Sequence, residues 1–220
     1  MLEALLFDEG LITDMRTAAA GAVIAKYLAP ESVKTVGVIG TGIQARLQIE
    51  FLREIKDFDR VCVYGRRDES IQHYIQDMTD KGFDVQAVDS VEQLANVSDM
   101  IVSTTPSTTP IILREHARPG LHVTALGADG RGKQEVESAF LGVTNINVVD
   151  SRKQCFDYSD TSFALKDGTI KDTDVFEIGE IIKNPKLGRQ SNDQITFADL
   201  TGVAVQDIVA AELILAKLQQ

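Results

Sequence analysis

Residues 34–52, KTVGVIGTGIQARLQIEFL, decide the fold. The stretch opens on an apolar run, passes through closely spaced glycines and continues in helix formers. It reads as a buried strand, a tight turn and a helix. Gly40, Thr41, Gly42, Ile43, Gln44 and Ala45 fit the pattern G-x-G-x-x-G/A. Gly40 permits the turn off the strand, Gly42 lets a pyrophosphate approach the backbone, and Ala45 lets helix and strand pack closely. Free N–H groups and the positive dipole end at the helix start then face the phosphates. A glycine turn that serves packing alone is the plain alternative; the strand–turn–helix context argues against it.

Working outward, strands alternate with helices. After the helix, which carries Ile43, Leu47, Phe51 and Ile55 as an expected sheet-facing stripe, come a strand over residues 60–65 and a helix from Asp68. A short strand, a short helix capped by Ser90, and strands over 99–105, 120–127 and 146–151 follow, with a helix expected over 133–141. This pattern predicts an α/β protein with a Rossmann-type, doubly wound parallel sheet. Near-continuous Val/Ile runs fit strands covered on both faces. Residues 3–7 read as a short strand. Thr13 is expected to cap an alanine-rich helix that ends before Pro30. Residues 157–174 are polar and loop-like, residues 194–200 form another strand, and the final helix sets Ala204, Ile208, Ala211, Leu215 and Leu218 on one stripe. Three segments are expected: 1–29 as part of a dimerisation or substrate substructure, 30–190 as the dinucleotide-binding domain, and 191–220 as a strand and helix that return to the first.

The chain has 220 residues, 44% hydrophobic and 25% charged, which suits an ordinary buried core. A formal net charge of −11 argues against a nucleic-acid binder, which would present a basic face to phosphates. Cys62 and Cys155 have no CxxC spacing, and His73, His116 and His122 have no metal spacing, so neither a disulfide framework nor a metal site is expected. No segment approaches the roughly 20 apolar residues of a membrane span. The first ten residues carry acids and no basic flank, unlike a signal peptide, so a cytoplasmic protein is expected.

The second strand ends VYGRRDE. Where an acidic residue would grip a free ribose 2′-OH stand Gly65, Arg66 and Arg67. Two guanidinium groups suit a 2′-phosphate, which favours NADP(H) with NAD(H) as the alternative. Asp68 is expected to cap the next helix. STTPSTTP, residues 103–110, leaves a strand end; Thr104 and Thr105 either line a nicotinamide pocket or belong to a Pro-punctuated turn. Arg16, in the first turn of its expected helix, is either a tolerated surface cation or an anion site. Asp129, among Gly127, Gly130 and Gly132, is either an acid or base beside a ligand or a turn-forming residue. A Tyr-x-x-x-Lys pair after the fourth strand is lacking, which counts against a short-chain dehydrogenase.

With these motifs assembled, together with VVDSRKQC, IGEII and DLTGVAVQDIVAA, nearly the whole chain resembles the ornithine cyclodeaminase/mu-crystallin family. The resemblance implies a Rossmann-type NAD(P) domain beside a dimerisation domain built from both chain ends. It implies a homodimer acting on amino acids or cyclic imines by hydride transfer at a Cα–N bond, or as a deaminating cyclase. By motif, Arg16 matches the arginine that grips a substrate carboxylate and Asp129 the catalytic aspartate. Gly40, Thr41, Gly42, Ile43 and Gln44 match the pyrophosphate loop, and Arg66 and Arg67 fall in the ribose-phosphate region. The family carries further residues ahead of EALLFDEG, among them an arginine and a lysine of the substrate site. The chain is therefore expected to be N-terminally truncated, and the competing reading is a catalytically incomplete dinucleotide-binding fragment that self-associates.

Overall fold

A computed structural model describes residues 5–218. In chain order the elements are α1 (Leu11–Leu28), β1 (Thr35–Ile39), α2 (Ile43–Arg53), β2 (Arg60–Tyr64), α3 (Asp68–Asp80), β3 (Val85–Ala87), α4 (Val91–Val97), β4 (Met100–Ser103), β5 (His122–Ala125), α5 (Ser138–Leu141), β6 (Ile146–Val149), α6 (Arg152–Cys155), α7 (Asp160–Lys166), β7 (Val175–Glu177), α8 (Ile178–Lys183), β8 (Thr196–Asp199) and α9 (Ala204–Leu218). The strands form one eight-stranded sheet in the order β3-β2-β1-β4-β5-β8-β6-β7. Every pair is parallel. The expected doubly wound α/β fold is what the chain adopts.

Alternation along the strands splits the core in two. Val36 and Val38, Val61 and Val63, and Met100 and Val102 pack with α1, α2, α3 and α8 on one face. Ile39, Cys62, Ile101 and Val123 pack with α4, α5, α6 and α7 on the other. Side chains of a strand point alternately to opposite faces, so both layers are needed to cover it.

Several expectations need correction. Helix α1 starts at Leu11 after Gly10, whose φ is 92°. The carboxylate that meets its first turn is Asp8, which accepts from the Ile12 amide at 2.6 Å. Thr13 is therefore inside the helix, and its hydroxyl donates to Asp207 instead. Arg16 lies beyond the first turn of α1, where the positive end of the helix dipole has faded. Residues 3 and 4 of the expected first strand lie outside the described residues, and residues 5–7 form no strand. The sheet-facing residues of α2 are Ala45, Ile49 and Leu52, while Ile43 is largely exposed. A strict spacing of four drifts about 40° per step on a helix of 3.6 residues per turn, so it cannot track one face. Asp68 is the first residue of α3; the residue before it, Arg67, is the N-cap.

The last third departs most. Polar residues 157–174 contain α7, whose Asp160, Thr161 and Ser162 are buried. Of the helix expected over 133–141 only α5 forms; Val136 instead makes a parallel bridge with Ile112. Strand β8 lies inside the sheet between β5 and β6, so a boundary at residue 191 does not part it from the core. The N- and C-terminal helices do meet: Thr13 and Arg16 of α1 both bond Asp207 of α9. Yet α1 also buries Ile24, Ala25 and Leu28 in the main core. On α9 the expected apolar stripe is open, with Ile208 and Leu218 exposed.

Candidate active site

Strand order reverses between β1 and β4, and a crevice opens at the carboxyl ends of the strands on either side of such a point. A cleft of about 350 Å³ lies there. Gly40, Thr41 and Gly42 line it beside Arg66 and Arg67, with Thr104 and Thr105 among the residues from the far side.

The turn is shaped to present its amides. Gly40 has φ 110°, and a Cβ there would sit 2.7 Å from Thr104 Oγ1. Its amide is spent on the Tyr64 carbonyl at 2.9 Å. Gly42 is extended, with φ −83° and ψ −169°, and a Cβ built on it would meet nothing within 4 Å. That side chain's place is open space in the cleft. Among the described residues the amides of Thr41, Gly42 and Ile43 find no acceptor in the protein. Arg46 holds the turn from behind: its guanidinium donates to the carbonyls of Thr41 at 2.6 Å and Gly42 at 3.1 Å. Arg46 is fixed in turn by Asp77 at 2.6 Å and by the Tyr74 ring at 5.1 Å. With the carbonyls bonded to Arg46 and unpartnered amides on a bare backbone at the edge of the cleft, the residues present fit a pyrophosphate. Sequence reasoning missed Arg46, although its position one turn into α2 places it within reach of the turn's carbonyls.

The other expected residues are placed as follows. Ile43 is 64% exposed at the start of α2. The Gln44 side chain bonds Asp14 of α1, through both the carbonyl at 3.1 Å and the carboxylate at 3.0 Å. Arg66 and Arg67 are exposed, and neither makes an ion pair among the described residues. The Thr104 amide bonds the Ile39 carbonyl at 2.9 Å. The Thr105 amide bonds Glu135 at 2.6 Å. Asp129 follows β5, is exposed, and accepts from Lys133 Nζ at 2.5 Å. Arg16 is held by Asp207 at 3.1 Å and Gln206 at 3.2 Å, over Gly202. No hydrogen bond joins Arg16 to Asp129 among the described residues. The structure thus gathers Gly40, Thr41, Gly42, Arg66, Arg67, Thr104 and Thr105 around one cleft and leaves Ile43, Gln44, Asp129 and Arg16 outside its lining.

Other groups stay structural. His122 is wholly buried between Thr196 and Thr124, at 2.8 and 2.9 Å; burial drives its pKa down to about 3, so the ring is neutral. Cys62 and Cys155 are buried and unpaired. No metal-binding group of His, Cys, Asp or Glu occurs among the described residues. No helix there is long and apolar enough to cross a membrane.

Comparison with known proteins adds to this geometry. Residues 2–220 match the model of the ornithine cyclodeaminase/mu-crystallin family. An alanine dehydrogenase of Archaeoglobus fulgidus is 37% identical over 95% of this chain and 64% of its own. Among solved structures, the Thermococcus litoralis Δ1-pyrroline-2-carboxylate reductase in complex with NADH and L-proline has a TM-score of 0.88 at 31% identity, over 93% of this chain and 64% of that one. The iminosuccinate reductase of Paracoccus denitrificans, in complex with NAD+, also has a TM-score of 0.88, at 32% identity over 95% of this chain and 65% of that one. The chain therefore spans somewhat under two thirds of the length of these relatives.

Proposed function

Because the chain belongs to the ornithine cyclodeaminase/mu-crystallin family, we propose that it holds a nicotinamide dinucleotide at the carboxyl ends of β1 and β4 and serves hydride transfer at the Cα–N bond of an amino acid or cyclic imine. The observation that carries this reading is the turn itself: unpartnered amides at residues 41–43 beside the open face of Gly42. Bound there, the nicotinamide supplies a hydride acceptor in the oxidising direction and a hydride donor in the reducing one. The chain's own residues divide the remaining work. The amides of Thr41, Gly42 and Ile43 take the diphosphate, and Gln44 braces the helix start against α1 through Asp14. Thr104 and Thr105 bound the nicotinamide side. Asp129 carries a proton to or from the substrate nitrogen, and exchanges it with Lys133 or solvent. Arg16 takes the substrate carboxylate once it leaves Asp207.

Arg66 and Arg67 favour NADP(H) over NAD(H). Their side chains border the cleft without acidic partners, as a 2′-phosphate requires. The relatives above were solved in complex with NADH or NAD+. A homodimer is part of the proposal: an archaeal alanine dehydrogenase of 36% identity is a dimer with bound NAD, and α9 exposes Val205, Ile208, Leu213 and Leu218. Two unpaired buried thiols suit a reducing, cytoplasmic setting.

A second reading rests on Arg16, whose guanidinium is already engaged by Asp207 and Gln206. In it the chain binds dinucleotide and self-associates without turnover. Titration with NADPH and NADH, followed by assays on ornithine, other amino acids and cyclic ketimines, separates the two. Cofactor binding with turnover supports the enzyme; binding without turnover across the panel supports the second reading; no binding of either nucleotide refutes both.

A further inference from the structure

The loops that carry Thr105 and Asp129 are joined by one carboxylate for which the proposed reaction has no use. Glu135 is fully buried. Its Oε1 accepts from Ser103 Oγ and from the Thr105 amide, each at 2.6 Å. Its Oε2 accepts from the Gly127 amide at 2.6 Å. Thr105 lines the dinucleotide cleft, and Gly127 stands two residues before Asp129. The loops approach so closely that a Cβ on Gly127 would lie 1.9 Å from the Thr105 carbonyl oxygen and 2.6 Å from Glu135 Cδ. Residue 135 is itself anchored. Its amide and that of Val136 donate to Asp160 Oδ1 at 2.7 and 2.9 Å, and its carbonyl accepts from the Ile111 and Ile112 amides.

Only a carboxylate satisfies this arrangement. Both loop amides donate and never accept, so each oxygen of residue 135 must be an acceptor. A glutamine offers one oxygen and one NH2, and would set donor against donor on one side. A buried charge is costly unless fully hydrogen-bonded. Burial does push the Glu135 pKa above the usual carboxylate value, against the bonds from Ser103, Thr105 and Gly127 that hold it down.

We infer that Glu135 is a positioning residue that locks the cofactor-side loop at Thr105 to the loop bearing Asp129, so that the two sides of the reacting centre move as one body. The catalytic consequence rests on the hydride-transfer reading; the lock itself concerns two amides and does not. Site-resolved amide hydrogen exchange on the full chain, combined with steady-state kinetics, tests both. In Glu135→Gln, exchange at Thr105 and Gly127 accelerates together, roughly tenfold or more, while Val36 and Val38 of β1 keep their rates. Turnover falls on the order of 100-fold with little change in substrate KM, as expected for a misplaced reacting group. Glu137→Gln is the control, because that carboxylate bonds the Arg114 amide instead, and it leaves both loop amides protected. Acceleration at one amide alone, or spread evenly through β1, overturns the lock. Normal turnover in a variant whose two amides have loosened overturns the positioning role. Loosening of both amides in a protein whose wild type turns over no substrate supports the lock and refutes the hydride-transfer reading. Should Glu135→Gln not fold, Glu135→Asp keeps the charge but is one methylene too short to reach both loops, and is read in the same way.

Discussion

On the glycine-turn side of the cleft, Gly40, Gly42 and Arg46 come from a single turn and the helix that follows it, and Arg46 bonds the turn at the carbonyls of Thr41 and Gly42. Asp129 and Arg16, which we propose act on the substrate, come from distant segments outside the lining of the cleft, and each is engaged by a neighbour, Lys133 and Asp207 respectively. The first region is a local device. Its donors are consecutive backbone amides, steadied by the Tyr64 carbonyl and by Asp77 and Tyr74 around Arg46. The second depends on convergence, and convergent geometry is where orientation contributes most to rate. Changes on the two sides should therefore separate binding from turnover.

The largest effect is expected at Asp129. Asp129→Asn removes the proposed proton-transferring group and should lower turnover by roughly 10²–10⁴-fold, while dinucleotide affinity, measured by fluorescence titration, stays within about twofold. A parallel fall in affinity would show that the two sides are not separable. Next is Gly42→Val. Its added side chain would point into open cleft, so thermal unfolding should move little, whereas affinity for NADPH should drop on the order of 100-fold because the phosphate can no longer reach the backbone. Loss of stability with unchanged affinity would mean that the glycine serves packing.

The contrast between the two regions also governs what could be read from sequence. The turn was legible because all its determinants are consecutive and each residue type has one steric task. The parallel sheet was legible because near-continuous apolar runs alternate with helices. Glu135 was not: its partners are Ser103 at the end of β4 and Thr105 and Gly127 on two other loops, and a glutamate beside Val136 looks like any solvated helix residue. Residues 157–174 looked like a loop because Asp160, Thr161 and Ser162 are polar; they are buried because Asp160 bonds the amides of Glu135 and Val136 while Asp199 accepts from both the amide and hydroxyl of Thr161. The slot of β8 between β5 and β6 is a long-range pairing that strand propensity does not encode.

Smaller effects sharpen the comparison further. Changing Arg66 and Arg67 both to Ser should weaken NADPH roughly tenfold more than NADH, since a charge-assisted contact to the 2′-phosphate is lost for one nucleotide alone. Equal losses would show that the arginines do not read that phosphate. Smallest is Asp207→Ala. The Arg16–Asp207 pair is partly exposed, at 15% and 38% of side-chain surface, so its loss should cost only about 0–1 kcal/mol in denaturant unfolding. In the enzyme reading it should also lower the substrate KM by freeing the guanidinium; an unchanged KM would place Arg16 outside the substrate site.

The central claim is that the amides of Thr41, Gly42 and Ile43 receive the diphosphate of a dinucleotide. Titrating the isotope-labelled protein with NADPH and following backbone amide resonances tests it most directly. The largest shifts should fall on residues 41–44, with Gly42→Val needing far more nucleotide to reach them; shifts centred elsewhere, or none at saturating nucleotide, would mean that the diphosphate does not bind at these amides.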